Sequence, residues 1–360
     1  MARQSPTVAA LAKLIVQIAD RGKVLLAALK KAGISLPSDS GVEWTDFAER
    51  FGLAKQLENA RLEKIIIPMF HLPPSIHEIM FEEAWHTQDV YQERHVQRIE
   101  RGSARFRIMD PYLVRIIGLF QGRVIDKPEQ DTLETEYACG GNVDHEISML
   151  GGILFVIVEF ELDMSLEDNV AQLFVEILAA AKANEKMDFY NRRVYGLLTD
   201  AFIFRFYSFN PLANKFAYDD NPIVNITRNY AFTDMIPVSN KIFSVVLAAY
   251  IDGLEASLLK SKERTSQANI RRGWISTDKW ETALQLAEQC CRKFNEPVDT
   301  IEEMEERSTA ALELLASSVR SIPRVSCLTG SDDPSSVEEV RDLAHHMVHE
   351  KHVEVLQPNQ

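Results

Sequence analysis

Residues 142–161, NVDHEISMLGGILFVIVEFE, decide how the rest of the chain reads. The run ILFVIVEF is continuously apolar, β-branched and aromatic, which predicts a strand buried on both faces. Gly151-Gly152 precedes it and reads as the centre of a tight hairpin turn. Glu159 and Glu161 end the strand, and side chains two apart on a strand point the same way. A symmetric hairpin sets Leu150 opposite Ile153 and, counting back, Asp144 opposite Glu159. Directly opposed Cβ atoms lie about 4.5–5.5 Å apart. Three carboxylates on one face repel unless protons or a cation sit between them. A hard divalent ion, Mg²⁺ or Mn²⁺, is the natural partner for such oxygen donors. The alternative is that Glu159 and Glu161 emerge into solvent where the strand ends, repelling only weakly in water.

The 360 residues allow one large domain or two ordinary ones, and 46% hydrophobic with 26% charged content is that of a globular protein. No uninterrupted apolar run approaches the ~18 residues of a membrane-crossing helix. Lys and Arg recur through the first 31 residues and interrupt any signal-peptide core. Cys139, Cys290, Cys291 and Cys327 are too few and scattered for a disulfide framework or zinc pattern, so an intracellular location, cytoplasmic or nuclear, is expected. The net charge of −14 opposes non-specific attraction to nucleic acid but leaves room for a local basic groove.

Around the hairpin the chain reads as a mixed α/β core near 75–262 between helical regions at 1–74 and 263–360. Helix is expected over 7–32, and again from Thr45 until the breakers at Pro68 and Pro73-Pro74. A charged amphipathic helix is expected over 75–107, then a break at Pro111. YLVRIIGLF reads as either a short helix or a strand, and VIDKPEQDTLE as a polar connection. After Glu161, residues Val170, Leu173, Phe174, Ile177, Leu178 and Ala181 give a helical spacing, with Glu167 and Asp168 in its first turn. RRVYGLLTDAFIFRFYSFNP reads as one long or two short strands with a break at Thr199-Asp200. KFAYDD and IVNITRNYAF read as further short strands, and NKIFSVVLAAYIDGLEASLLKSK as a second strong helix. Helices close the chain.

This order, with Asp144 ahead of the hairpin and Glu159-x-Glu161 ending its second strand, resembles the PD-(D/E)XK nuclease superfamily over about 120 residues. Cores of this kind occur in intracellular effector and toxin-like proteins of eukaryotic microbes. The resemblance implies a restriction-endonuclease-like mixed sheet flanked by helices. It makes Asp144 and Glu159 the ligands of Mg²⁺ or Mn²⁺, with Glu161 in the place of the family's Lys. Gln172 resembles a Gln found one or two turns into the following helix, and Glu93 or Glu100 could complete the ion's outer shell. Such a site hydrolyses phosphodiesters: the metal polarises the phosphoryl oxygen and acidifies a bound water, while a neighbouring group orients or deprotonates it. Glu161 can serve as that base but supplies no positive charge. The second reading is a catalytically silent fold that binds protein or nucleic acid, since fold alone does not carry function.

Arg192, Arg193 and Arg205 flank the core strands and could line a nucleic-acid groove. Lys260 and Lys262, with Arg264, Arg271 and Arg272, form the densest basic cluster, near Trp274. His345 and His349, one helical turn apart, have a metal-compatible spacing, but a solvated helix face is the plainer reading. Asp219-Asp220 reads first as a turn, and Cys290-Cys291 as packing.

Overall fold

The computed structural model describes residues 38–57, 62–91, 102–135, 138, 140–149, 153–160, 164–189, 192–219, 222–224, 228–268, 278–322 and 341–349. In chain order these hold α1 (Trp44–Phe51), β1 (Glu63–Lys64), α2 (Pro74–Tyr91), α3 (Gly102–Gly118), β2 (Val124–Asp131), β3 (Asn142–Met149) and β4 (Ile153–Phe160). Then follow α4 (Glu167–Lys186), β5 (Val194–Thr199), β6 (Phe204–Asn210), β7 (Lys215–Tyr218), α5 (Arg228–Ala268), α6 (Asp278–Phe294) and α7 (Ile301–Arg320). A further helix, α8, covers 341–349. The expected helix at 7–32 and the glycine pair 151–152 lie outside the described residues.

One seven-stranded mixed sheet runs β1-β7-β6-β5-β4-β3-β2. β2, β3 and β4 are successively antiparallel, and α4 then carries the chain to β5, parallel to β4. β5, β6 and β7 are again antiparallel, and β1 adds parallel to β7. The sheet is thus α/β and mixed, as expected, with helices on both faces. On one face α4 buries Val170, Leu173, Phe174 and Ile177 against Ile157, Leu198 and Tyr207, with Trp44 and Phe47 of α1 in the same cluster. On the other, α5 packs Ile242, Val246 and Tyr250 over Ile147, Val156, Val158 and Leu197. α6 and α7 extend that second core through Ala283, Cys290, Leu315 and Val319. Residues from both flanking regions therefore enter the cores around the sheet.

Several local expectations are corrected. Helix α1 stops at Phe51, because Gly52 takes a left-handed conformation (φ 63°) that ends a helix cheaply. Pro111 does not break α3; Met109, Tyr112, Leu113 and Ile116 are all buried, and that packing outweighs the lost backbone bond. VIDKPEQD is strand β2 rather than a connection: it is an edge strand, where Pro128 and charges are tolerated. From Arg228 the chain is helical rather than extended, with Ala231, Phe232, Met235, Val238 and Ile242 buried at helical spacing. Tyr230–Glu263 is apolar and long enough to cross a membrane, but most of it is buried as the packed core helix. The break after β5 is as expected: Asp200 Oδ1 accepts from the amides of Phe202 (2.9 Å) and Ile203 (2.7 Å) and turns the chain into β6.

At Gly196 α4 sits tight against the sheet, since a Cβ there would meet Ile177 Cδ1 at 2.5 Å and Leu173 Cδ2 at 3.1 Å. Gly196→Val is therefore expected to cost about 1–3 kcal/mol by overpacking, measured by urea unfolding, with Gly196→Ala costing less.

Candidate active site

The hairpin register brings the two sequence-predicted acids together. Met149 pairs with Ile153 and Ser148 with Leu154, one residue out of the symmetric expectation. An irregularity between Ile147 and Ser148 restores it, so that Ile147 pairs with Val156, Glu146 with Ile157 and His145 with Val158. The next step in that register is Asp144 beside Glu159. The Asp144 amide donates to Glu159 Oε1 at 3.3 Å.

Glu159 does not emerge into solvent. It is 4% exposed, on the face that α4 covers. Gln172 of α4 donates from Nε2 to Glu159 Oε2 (3.4 Å) and to Glu176 Oε1 (3.0 Å). Glu176, one turn beyond Gln172, is wholly buried, and its Oε2 has no hydrogen-bond partner. Burial first, then the Glu159 charge and a hydrogen bond with Glu159, push the Glu176 carboxyl well above its ordinary range; the Gln172 amide pulls the other way. Glu176 therefore favours its neutral, protonated form beside Glu159, with Gln172 bridging the two carboxyl groups. Sequence reasoning missed Glu176, though an acid within the apolar stripe of Leu173, Phe174 and Ile177 is the signal that could have found it.

A second missed acid is Asp39, which is 2% exposed and adds to the field that raises Glu176. It accepts a hydrogen bond from Thr132 Oγ1, and burial raises its own carboxyl more than that bond lowers it. Gly140 and Gly141 allow this approach. Gly140 has φ 94°, and a Cβ on Gly141 would fall 2.9 Å from Asp39 Cβ. Nothing in the sequence marks Asp39, which enters from a short 3-10 turn, Asp39–Gly41, distant in sequence.

A Glu held protonated by the fold makes stability fall as pH rises. Below about 4.5, the ordinary Glu value, folded and unfolded chains both carry the proton. Above it the unfolded chain loses the proton first, and stability declines toward the higher folded value. Glu176→Gln is expected to stabilise the protein by about 1–3 kcal/mol at pH 8, the usual cost of an unsatisfied buried polar group. It should also flatten the pH dependence between 4.5 and 8, read by chemical unfolding across that range.

The basic residues divide. Arg205 of β6 pairs with Leu198 of β5, which pairs with Glu159. Residues in register across a sheet share a face, so Arg205 stands level with Glu159, two strands or about 10 Å away. It is half-buried and hydrogen-bonds the Tyr207 hydroxyl. Arg193 precedes β5 at its other end, five residues or about 16 Å along the strand from Leu198. There it donates to Ser208 Oγ (2.9 Å), and Arg192 pairs with Glu255 (3.5 Å). Lys260 joins that end, donating to Met187 O (2.5 Å) and resting over the Phe189 ring. Lys262 is exposed on α5. Of these, Arg205 alone shares the face and level of the acids.

Glu161, Glu93, Glu100, Asp220, Arg271, Arg272 and Trp274 lie outside the described residues. Asp219 is buried in an ion pair with Lys241, Cys290 packs in the core, and His345 and His349 stack in parallel on exposed α8. Among the described residues no three carboxylate, imidazole or thiol groups form a ready cluster for a metal ion. Asp144 and Glu159, neighbours through the Asp144 amide, would offer oxygen only, a set suited to a hard cation. No protein-family model matches the chain, and none of the curated proteins compared with it is similar in sequence.

Proposed function

We propose that the chain is a metal-dependent phosphodiesterase of the PD-(D/E)XK kind, acting on DNA or RNA. The observation that carries this reading is Asp144 set beside Glu159 on adjacent strands, with the Asp144 amide on the Glu159 carboxylate. The run α3–β2–β3–β4–α4–β5, antiparallel and then parallel across α4, agrees with the core that the sequence resemblance implies. Asp144 and Glu159 would hold Mg²⁺ or Mn²⁺, with Gln172 orienting the Glu159 carboxylate. The bound ion would polarise a phosphoryl oxygen and lower the pKa of a coordinated water. Glu161 would orient that water or take its proton, and Arg205 would neutralise charge on the phosphate.

A second reading, a silent nuclease-like fold that binds a protein or a nucleic acid, draws on the closure of Glu159. That acid is 4% exposed and already accepts from the Asp144 amide and Gln172, and Glu161 replaces the family's Lys. Titration calorimetry separates the two. Binding of Mg²⁺ or Mn²⁺ by the parent that disappears in Asp144→Asn/Glu159→Gln supports the phosphodiesterase; a parent that binds neither ion, with or without an oligonucleotide, favours the silent module.

A further inference from the structure

On the opposite face from the acids, segment 70–77 is stitched to α5 and α7 by an unusual set of groups. The Phe70 amide donates to Ser244 Oγ (2.8 Å), and the Leu72 amide to Asn240 Oδ1 (2.9 Å). His77 Nε2 meets the same Asn240 Oδ1 at 3.1 Å, and His71 Nδ1 meets Asn240 Nδ2 at 3.4 Å. Ser75 binds Glu305 of α7 through both its amide (3.0 Å) and its hydroxyl (2.5 Å).

The backbone settles the protonation. The Leu72 N–H can only donate, so it fixes Asn240 Oδ1 toward itself and Nδ2 toward His71. Asn240 Nδ2 can only donate, so His71 Nδ1 must present its lone pair. His71 is therefore neutral in this arrangement, with its proton on Nε2. His77 donates through Nε2 whether neutral or charged. A proton on His71 Nδ1 would set two donors against each other beside the Arg307 guanidinium of α7.

We infer that this junction is a proton-sensitive latch, in which protonation of His71 breaks its bond to Asn240 and loosens segment 70–77 from α5. His71 lies exposed at the rim of the junction, where what desolvation remains and Arg307 both disfavour its charged form; burial and His71 disfavour a charged His77, against the Asn240 bond that favours it. The other charges here have partners of their own, except at Arg307 Nε and Nη2, which are buried without a hydrogen bond. Glu305 is held by Ser75, Arg307 Nη1 donates to Glu296 O (2.6 Å), and Lys241, next to Asn240 in α5, pairs with Asp219. Glu78, next to His77 on α2, is exposed. Both histidines have folded-state values below 6.5. The latch is thus closed above that pH and opens as pH falls through the folded values, because the unfolded or released segment binds the proton more readily.

Hydrogen exchange of the full chain, corrected for the intrinsic pH effect, tests this. Amides of 70–77 should lose protection by up to about tenfold between pH 7.5 and 5.5, the most that a proton binding one pH unit below an unperturbed histidine's midpoint can supply. His71→Gln keeps an acceptor for Asn240 but cannot be protonated, and should show no such loss. Unchanged protection in the parent, or an equal loss in His71→Gln, overturns the latch. The parent alone gives a second check by NMR titration. A His71 midpoint clearly below 6.5, with the Asn240 amide signals shifting in step, supports the latch; a midpoint at or above 6.5 overturns it.

Discussion

Replacing Asp144 and Glu159 together with alanine is expected to reduce Mg²⁺- or Mn²⁺-dependent cleavage of DNA or RNA by at least about 10³-fold, comparable to losing one essential group at a charge-stabilising site. The loss should appear in kcat, because these carboxylates act on the reacting phosphate rather than on the bulk of the substrate. Arg205→Ala should weaken cleavage less, since its guanidinium would neutralise phosphate charge without holding the ion. Arg193→Ala, at the far end of β5, should leave cleavage near the parent's level. Removing Glu159 also takes a carboxylate from beside Glu176, so the altered protein should fold at least as well as the parent at neutral pH. Measuring cleavage and unfolding on the same preparations therefore separates a lost site from a lost fold. A doubly altered protein that cuts as well as the parent would show that these acids are not the site.

The largest expected loss of stability lies elsewhere, at Lys241. Its ammonium and the Asp219 carboxylate form an ion pair in which Lys241 is 6% and Asp219 2% exposed. Asp219 also accepts the Ile67 amide at 3.3 Å, so the pair joins the end of β7, the segment after β1 and α5. Lys241→Met leaves a buried carboxylate with no cation and should cost about 3–5 kcal/mol. Lys241→Met with Asp219→Leu removes both charges, and much of that loss should return, because a buried pair contributes little beyond its own desolvation. Urea unfolding of the two single variants and the double measures the coupling directly. Equal losses in Lys241→Met and the double variant would mean that packing, not charge, holds this junction.

The sequence was most legible where periodicity and chemistry coincide. ILFVIVEF read as an interior strand from its β-branched and aromatic run behind a glycine pair, and two-residue alternation then decided which acids share a face. The register at Asp144 and Glu159 came out as counted, although the hairpin reached it through an irregularity that no residue type announces. Helix α4 was equally plain from its apolar spacing. Elements whose pattern is set by surroundings were harder to read. β2 is polar because it lies at an edge, α3 keeps Pro111 because its neighbours are buried, and the start of α5 carries β-branched residues on a helix held by packing. At the site, charge repulsion pointed to Asp144 and Glu159, but not to Glu176 or Asp39, which arrive from other elements. The sequence likewise grouped Arg192 and Arg193 with Arg205 by composition, whereas strand direction puts them at opposite ends of the sheet.

The two borders of the sheet have a consequence for how the protein behaves in concentrated solution. An open row of strand N–H and C=O groups invites a further strand from another molecule. Here one border is β1, two residues long, Glu63 and Lys64, both exposed. The other is β2, which carries Pro128 with no N–H to donate and Lys127, Glu129 and Asp131 along its length. A strand arriving at either side meets brevity, charge or a missing donor. This large, strongly apolar sheet is therefore protected from growing by addition at its edges, and its interior strands stay out of reach of aggregation while the fold is intact.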